Sequence, residues 1–237
     1  MKRLLNSRWG WFLKGLPSLA RARTLFRVKR FTMTTPTRCR KLWDQSLQLL
    51  EQGVPGCFVE CGVWRGGSAA VMGLALRHSG ADRQLHLFDS FEGLPEPTEQ
   101  DGSVAKEYSG GRASGTLTSV GRCKAGLDEV RAFLLGRLGL DESKVHFHVG
   151  WFQNTLPAAS ATLGPIALLR LDGDWYESTR LCLENLYPHL SSRGMIIMDD
   201  YFAWAGCKQA TDQYRSQHGI GAPLARIDET AVCWVKS

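Results

Sequence analysis

Several things are missing from this sequence, and each absence removes a class of protein. There is no C-x-x-C pair, the seven cysteines are odd in number, and none lies beside histidines at metal-ligand spacing. A disulfide scaffold and a zinc-binding module are therefore excluded as readings, and reduced cysteines in a cytoplasmic protein are expected. No stretch comes near the ~18 consecutive apolar residues of a membrane span. Trp9–Ala20 is the most apolar part of the N-terminus, but Lys14 and Pro17 interrupt it and basic residues follow, which does not fit a secretory leader. No internal repeat is present. G-x-G-x-x-G, the fingerprint of a pyrophosphate cradle, is also absent, which disfavours a nicotinamide dehydrogenase.

Acidic residues are missing from one region only. Residues 1–43 hold twelve Lys and Arg and no Asp or Glu, while the whole chain of 237 residues is only +6, so the remainder has a six-charge acidic excess. Nucleic-acid binding would need a basic face on the core as well, and is not expected. Residues 1–41 are read as a basic arm that folds as a lid over the site in 42–237. The competing use is contact with anionic lipid through Trp9, Trp11, Phe12 and the cations.

From Gly56 onward, short apolar runs alternate with helical patterns, the signature of a parallel α/β sheet. Strands are expected at 57–61, 84–89, 144–149, 165–172 and 194–200, with helices at 67–78, 126–139, 176–190 and 206–219. "APLARID" and "AVCWVKS" read as a closing antiparallel hairpin with Glu229 and Thr230 at its turn. The expected fold is thus a class I Rossmann-like methyltransferase domain with a seven-stranded, mostly parallel sheet. The polar, Gly-rich stretch 92–122 reads as a flexible insertion on the acceptor side.

The first strand runs into a turn, "FVECGVWRGGS" (58–68), with glycines at 62, 66 and 67. Glycine allows positive φ and close backbone approach. Trp64 and Arg65 occupy the space a pyrophosphate would need, and Glu60 would repel phosphate yet suits an ammonium. Asp89 ends the second strand, where an acid accepts hydrogen bonds from ribose hydroxyls. A ligand with a cationic amino-acid end and a free ribose is S-adenosylmethionine rather than NAD. Glu60, Gly62, Trp64, Gly66, Gly67, Ser68, Asp89 and Ser90 are the candidate contacts.

Asp172 and Asp174 close the fourth strand in "LLRLDGDWYEST", and Asp199 and Asp200 close the fifth in "MIIMDDY". Adjacent parallel strands lie about 4.8 Å apart, so all four acids gather at one sheet edge. Clustered carboxylates need a compensating cation, and oxygen ligands suit Mg²⁺. Three of these carboxylates with waters suit such an ion, which lowers the pKa of an acceptor hydroxyl. Asp174 is the candidate general base.

"FVECGVWRGGS", "LFDSFEGLP", "VGWFQNTLP", "LLRLDGDWYEST", "MDDY" and the earlier "FTMT" resemble, in order and spacing, the macrocin-type O-methyltransferases, over about residues 31–237. The resemblance implies S-adenosylmethionine, Mg²⁺, a homodimer or larger oligomer, and a hydroxyl of a sugar or glycosylated natural product as acceptor. By the same resemblance, Asp172, Asp199 and Asp200 are the metal ligands, Asp174 the general base, and Glu60, Gly62 and Asp89 cofactor contacts; Gly150, Trp151, Phe152 and Gln153 form the adenine-side loop, and residues 31–34 fold over the cofactor. The alternative expectation is a catechol- or phenol-directed enzyme using the same metal logic.

Overall fold

The computed structural model describes residues 16–237; the first part of the basic arm, including Trp9, Trp11 and Phe12, lies outside the described residues. Two helices, α1 (Leu16–Val28) and α2 (Pro36–Glu51), precede the sheet. Thr35 starts α2 by accepting the amide of Arg38 at 3.1 Å, with Pro36 in the first position where its missing N–H costs nothing. The helix continues without a break through residue 41. Arg38 and Cys39 are as buried in it as Leu42 and Trp43.

The rest alternates as expected: β1 (Cys57–Cys61), α3 (Gly67–Ser79), β2 (Leu85–Asp89), α4 (Gly102–Tyr108), α5 (Leu127–Arg131), β3 (Val145–Val149), α6 (Phe152–Ser160), β4 (Ile166–Leu171), α7 (Tyr176–Leu186), β5 (Leu190–Met198), α8 (Ala205–Gln217), β6 (Ala225–Arg226) and β7 (Val232–Val235). The seven strands lie in the order β3-β2-β1-β4-β5-β7-β6. β1 to β5 are parallel, and β7 runs antiparallel to both β5 and β6.

Neighbouring strand residues point to opposite faces, and the core divides accordingly. Phe58, Leu168 and Ile197 pack under α1, α2, α3 and α5. Val59, Leu169 and Ile196 pack under α6, α7 and α8. β1 and β4 are fully buried on both faces, as central parallel strands should be.

Five elements differ from the sequence reading. The helix expected over 126–139 is α-helical only to Arg131; residues 132–137 then form a wider turn in which the Leu138 amide reaches back to Phe133 O. The helix expected to run to 190 stops at Leu186 and tightens into a 3₁₀ turn over Tyr187–His189, because Pro188 has no amide to donate back into the helix. β5 begins at Leu190 and ends before the aspartate pair. α6 begins at Phe152, so Phe152 and Gln153, placed in a loop by the resemblance, open a helix. The insertion at 92–122 carries a single turn at Glu99–Asp101 followed by α4, and both are docked on the body of the domain. Among the described residues no helix is long and apolar enough to cross a membrane.

Candidate active site

The carboxyl ends of β1, β2, β4 and β5 open on a cavity of about 390 Å³. At one end, β1 turns sharply at Gly62 (φ +87°), whose amide donates to Phe88 O at 2.9 Å. A Cβ on residue 62 would stand 1.8 Å from the Asp172 carbonyl, so only glycine lets these two segments touch. Asp89 braces the turn. Its Oδ2 accepts the amides of Val63 (2.6 Å) and Trp64 (3.0 Å), and its Oδ1 accepts that of Phe91 (2.7 Å). Burial pushes the Asp89 carboxyl up, and these three amides work against that shift. A carboxylate has about four lone-pair sites, so one remains for a ligand hydroxyl.

Gly62, Trp64, Gly67, Ser68, Asp89, Ser90, Gly150, Trp151, Phe152 and Gln153 all line the cavity; Gly66 and Glu60 do not. Gly66 faces Val130 and Leu134, where it lets α3 approach α5. Glu60 is wholly buried beneath the turn and receives Arg170 Nη1 at 2.7 Å. Burial pushes it up to about 8, against the pull of Arg170. An ammonium would have to compete with that guanidinium for Glu60.

The other end of the cavity is acidic. Asp172, Asp174 and Asp200 each offer an oxygen, all within 4.8 Å of one another. Asp199 turns elsewhere. Its Oδ1 lies 2.7 Å from Arg170 Nη2 and its Oδ2 meets Arg38 Nη1. Arg170 Nη2 is also 2.9 Å from Asp172 Oδ2. The trio drawn together thus contains Asp174 where the sequence reading had Asp199, because Asp199 points at two guanidiniums that pattern alone does not locate.

Asp174 adopts a left-handed backbone (φ +57°), and its Oδ1 accepts the indole N–H of Trp204 at 2.7 Å. Burial, then the charge of Asp172, pushes Asp174 up to about 8, and burial raises Asp199 to about 6. Asp200 is raised well above the carboxylate range by burial and by Asp174. Its Oδ2 is buried without a hydrogen-bond partner among the described residues. Oxygen donors that crowd together, raise each other's pKa and leave a lone pair unused suit a hard divalent cation.

Residues 31–35 line the same cavity, with Phe31 stacked on Phe133 at 3.7 Å and its carbonyl against Gly67. Arg38 fixes this segment from behind. Its Nε and Nη2 donate to Asp228 at 2.9 Å each, which with Thr35 and backbone amides holds Asp228 far below the usual carboxylate range. Sequence reasoning missed Arg38, Arg170 and Trp204. One signal was present: Arg170 is a lone charge inside an otherwise apolar strand.

The sequence matches the macrocin O-methyltransferase (TylF) family over residues 21–236. It is 44% identical over 187 residues, covering 78% of this chain and 68% of the other, to the 8-demethyl-8-(2,3-dimethoxy-alpha-L-rhamnosyl)-tetracenomycin-C 4'-O-methyltransferase of Streptomyces olivaceus. It is 40% identical, over 80% of this chain and 69% of the other, to the demethyldecarbamoylnovobiocin O-methyltransferase of Streptomyces niveus. Among solved structures, the O-methyltransferase NovP superposes with a TM-score of 0.76 at 36% identity, covering 87% of this chain and 82% of that one. The chain belongs to the macrocin O-methyltransferase family and is a Rossmann-like O-methyltransferase that uses S-adenosylmethionine.

Proposed function

We propose that this enzyme methylates a hydroxyl of a sugar carried by a natural product, with a Mg²⁺ ion at the carboxylate cluster. The observation that carries the reading is the single cavity joining Asp89 and the Gly62 turn to Asp172, Asp174 and Asp200. S-adenosylmethionine supplies an electrophilic methyl group, so that as the acceptor oxygen forms its bond to carbon the bond from carbon to sulfur breaks. The Gly62 turn, Asp89, Ser90 and the 150–153 loop hold it, and residues 31–34 cover it as a lid. The relative that names a rhamnosyl group in its substrate supports the sugar assignment.

Asp172 and Asp200 would hold the cation, joined by Asp199 once it releases one of its guanidinium contacts. When bound, the cation supplies positive charge that lowers the pKa of a nearby hydroxyl and of the carboxyls around it. Asp174 takes the acceptor's proton as general base. Trp204 fixes one of its oxygens and leaves the other free. The acceptor enters past Met33, Leu94, Pro95 and Cys123, on the side formed by the insertion.

The experiment pairs labelled S-adenosylmethionine with a panel of rhamnosides, other glycosides and simple catechols, with Mg²⁺ and with EDTA. Methylation of a glycoside that stops in EDTA is expected. Turnover of catechols alone overturns the sugar assignment, and full activity in EDTA overturns the cation. Asp174→Asn separates two roles: a base loses about 10²–10⁴ in kcat and keeps Mg²⁺ affinity, whereas a ligand loses the affinity.

A further inference from the structure

The loop after β4 carries Asp172 and Asp174, then gives way to α7 at Trp175. The first amides of a helix have no partner within it. Residues of type Ser, Thr, Asp or Asn usually meet that need from the position just before the helix. Here that position is Trp175, which has no cap to offer. The missing acceptor comes from 75 residues earlier in the chain.

Asp101 lies in the insertion and is almost wholly buried, at 1% exposure. Its Oδ1 accepts the Tyr176 amide at 2.6 Å. Its Oδ2 accepts the Thr98 amide at 2.7 Å and the Thr98 hydroxyl at 2.9 Å, closing the turn that begins α4. One carboxylate thus ties the acceptor-side insertion to the start of α7. A negative charge at that point also meets the positive end of the helix dipole.

The third wall of this joint is α8. A Cβ on residue 206 would stand 2.0 Å from Asp101 Oδ1 and 3.0 Å from the Tyr176 amide, so glycine at 206 is what lets the carboxylate reach. A second tie runs beside the first: Trp175 Nε1 donates to Pro95 O at 2.9 Å. Trp175 packs edge-on against Trp204 with centroids 4.9 Å apart, and Tyr108 of α4 packs on Trp204 at 5.3 Å. Trp204 is the residue whose indole holds Asp174.

We infer that Asp101 is a positioning residue that makes the acceptor-side insertion and the Asp172–Trp175 loop one mechanical unit, so that the group that binds the acceptor also aims Asp174. The inference rests on the reading of Asp174 as the base. Asp101 touches neither acceptor nor cofactor. It acts by fixing Tyr176 N–H, and through Trp175 and Trp204 it holds Asp174 in its left-handed conformation.

Three variants of the full chain test it. Asp101→Ala removes the acceptor oxygen. Gly206→Ala leaves every hydrogen-bonding group in place and displaces the carboxylate by contact. Asp101→Asn keeps the oxygen facing Tyr176 and sets a donor against the Thr98 amide, so it disturbs only the insertion's side of the tie. With S-adenosylmethionine bound, amide exchange in residues 173–178 is expected to quicken about tenfold in the two alanine variants, the effect of losing one hydrogen bond. Exchange in β4 stays as in wild type, cofactor affinity by calorimetry is unchanged, and the asparagine variant lies near wild type. On a glycoside that wild type methylates, kcat falls roughly ten- to hundredfold in the alanine variants, as for a misplaced catalytic group, with a smaller change in KM.

Unaltered exchange at 173–178 in both alanine variants overturns the inference. Exchange quickened equally in β4 also overturns it, since that marks general loosening. Local quickening with wild-type kcat removes the catalytic consequence. Failure of the underlying reading looks different: Asp174→Asn then keeps its kcat, or no glycoside is methylated, while the exchange comparison still decides whether Asp101 joins the two segments.

Discussion

Replacing Arg170 by leucine tests the electrostatic centre of the site. This guanidinium is 2% exposed and faces Glu60, Asp172 and Asp199 at 2.7, 2.9 and 2.7 Å. Breaking a buried pair from one side costs about 3–5 kcal/mol, because the partner is left without compensation. Glu60 already sits at about 8 with Arg170 beside it. At pH 7 the variant therefore buries a neutral carboxyl, and the lower end, about 3 kcal/mol, applies. For a chain of this size each kcal/mol is worth roughly 2–4 °C, so the metal-free variant should melt about 6–12 °C below wild type. Without Arg170 the Glu60 pKa rises further. Above pH 8 the wild-type carboxyl ionises against its guanidinium and the variant's does not, so the deficit widens with pH. Glu60→Leu combined with Arg170→Leu should recover part of the loss and not all of it: no carboxyl is then left buried at position 60, while Asp199 keeps only its Arg38 contact. Calorimetric melts of the single and double variants decide the matter. A single variant melting with wild type, or a double variant no more stable than the single, would refute the reasoning.

Other consequences follow from the same geometry. Asp89→Asn turns one of the three-amide acceptors into a donor facing an amide, and S-adenosylhomocysteine should bind at least about tenfold more weakly, the lower range for a charged hydrogen bond; calorimetry showing equal affinity would remove Asp89 from the cofactor site. Without divalent ions, Glu60, Asp174 and Asp199 have folded pKa values near 8, 8 and 6, above their ordinary ones of 4.5, 3.8 and 3.8. The folded state then holds more protons than the unfolded one between those limits, so their contribution is complete below about pH 4 and is lost as pH rises through 6 to 8. Melting temperature should fall from pH 5.5 to pH 8, and Mg²⁺ should restore more of it at pH 8 than at pH 5.5; an equal Mg²⁺ effect at both would count against a cation at these carboxyls. Gly62→Ala drives a Cβ into the Asp172 carbonyl at 1.8 Å. It should lower stability by at least the roughly 1–3 kcal/mol of overpacking, and a variant melting with wild type would show that β1 and β4 yield more easily than their packing implies.

The parts legible in the sequence are those set by local pattern. β4 reads as a central strand because its residues are nearly all apolar, and all six are buried; the Gly62 turn and Asp89 stand at the ends of strands that the alternation of apolar runs and helical patterns locates. α6 is not legible as a helix, since Pro157 stands inside it; Leu156 and Ala159 are buried against the sheet and hold it. The aspartate cluster was legible as a group and not in detail. Asp199 and Asp200 are adjacent in sequence and both line the cavity, and which of them joins Asp172 and Asp174 depends on Arg38, 161 residues away from Asp199, and on the Arg170 guanidinium. The insertion's polar composition gave no sign of Asp101, whose partner amide belongs to a helix 75 residues further on.

The contact between Gly62 and the Asp172 carbonyl has a thermodynamic consequence. The backbone that cradles the cofactor and the backbone that carries the first carboxylate are pressed together without a side chain between them. If a cation binds these carboxylates as proposed, displacement of either segment would be transmitted to the other, and loading one site would change the free energy of loading the other. Such linkage is reciprocal: the factor by which the cofactor tightens a cation's binding is the factor by which that cation tightens the cofactor's. Affinities measured one ligand at a time therefore describe neither site as it works, and titrating each ligand in the presence and absence of its companion yields the same ratio from both directions.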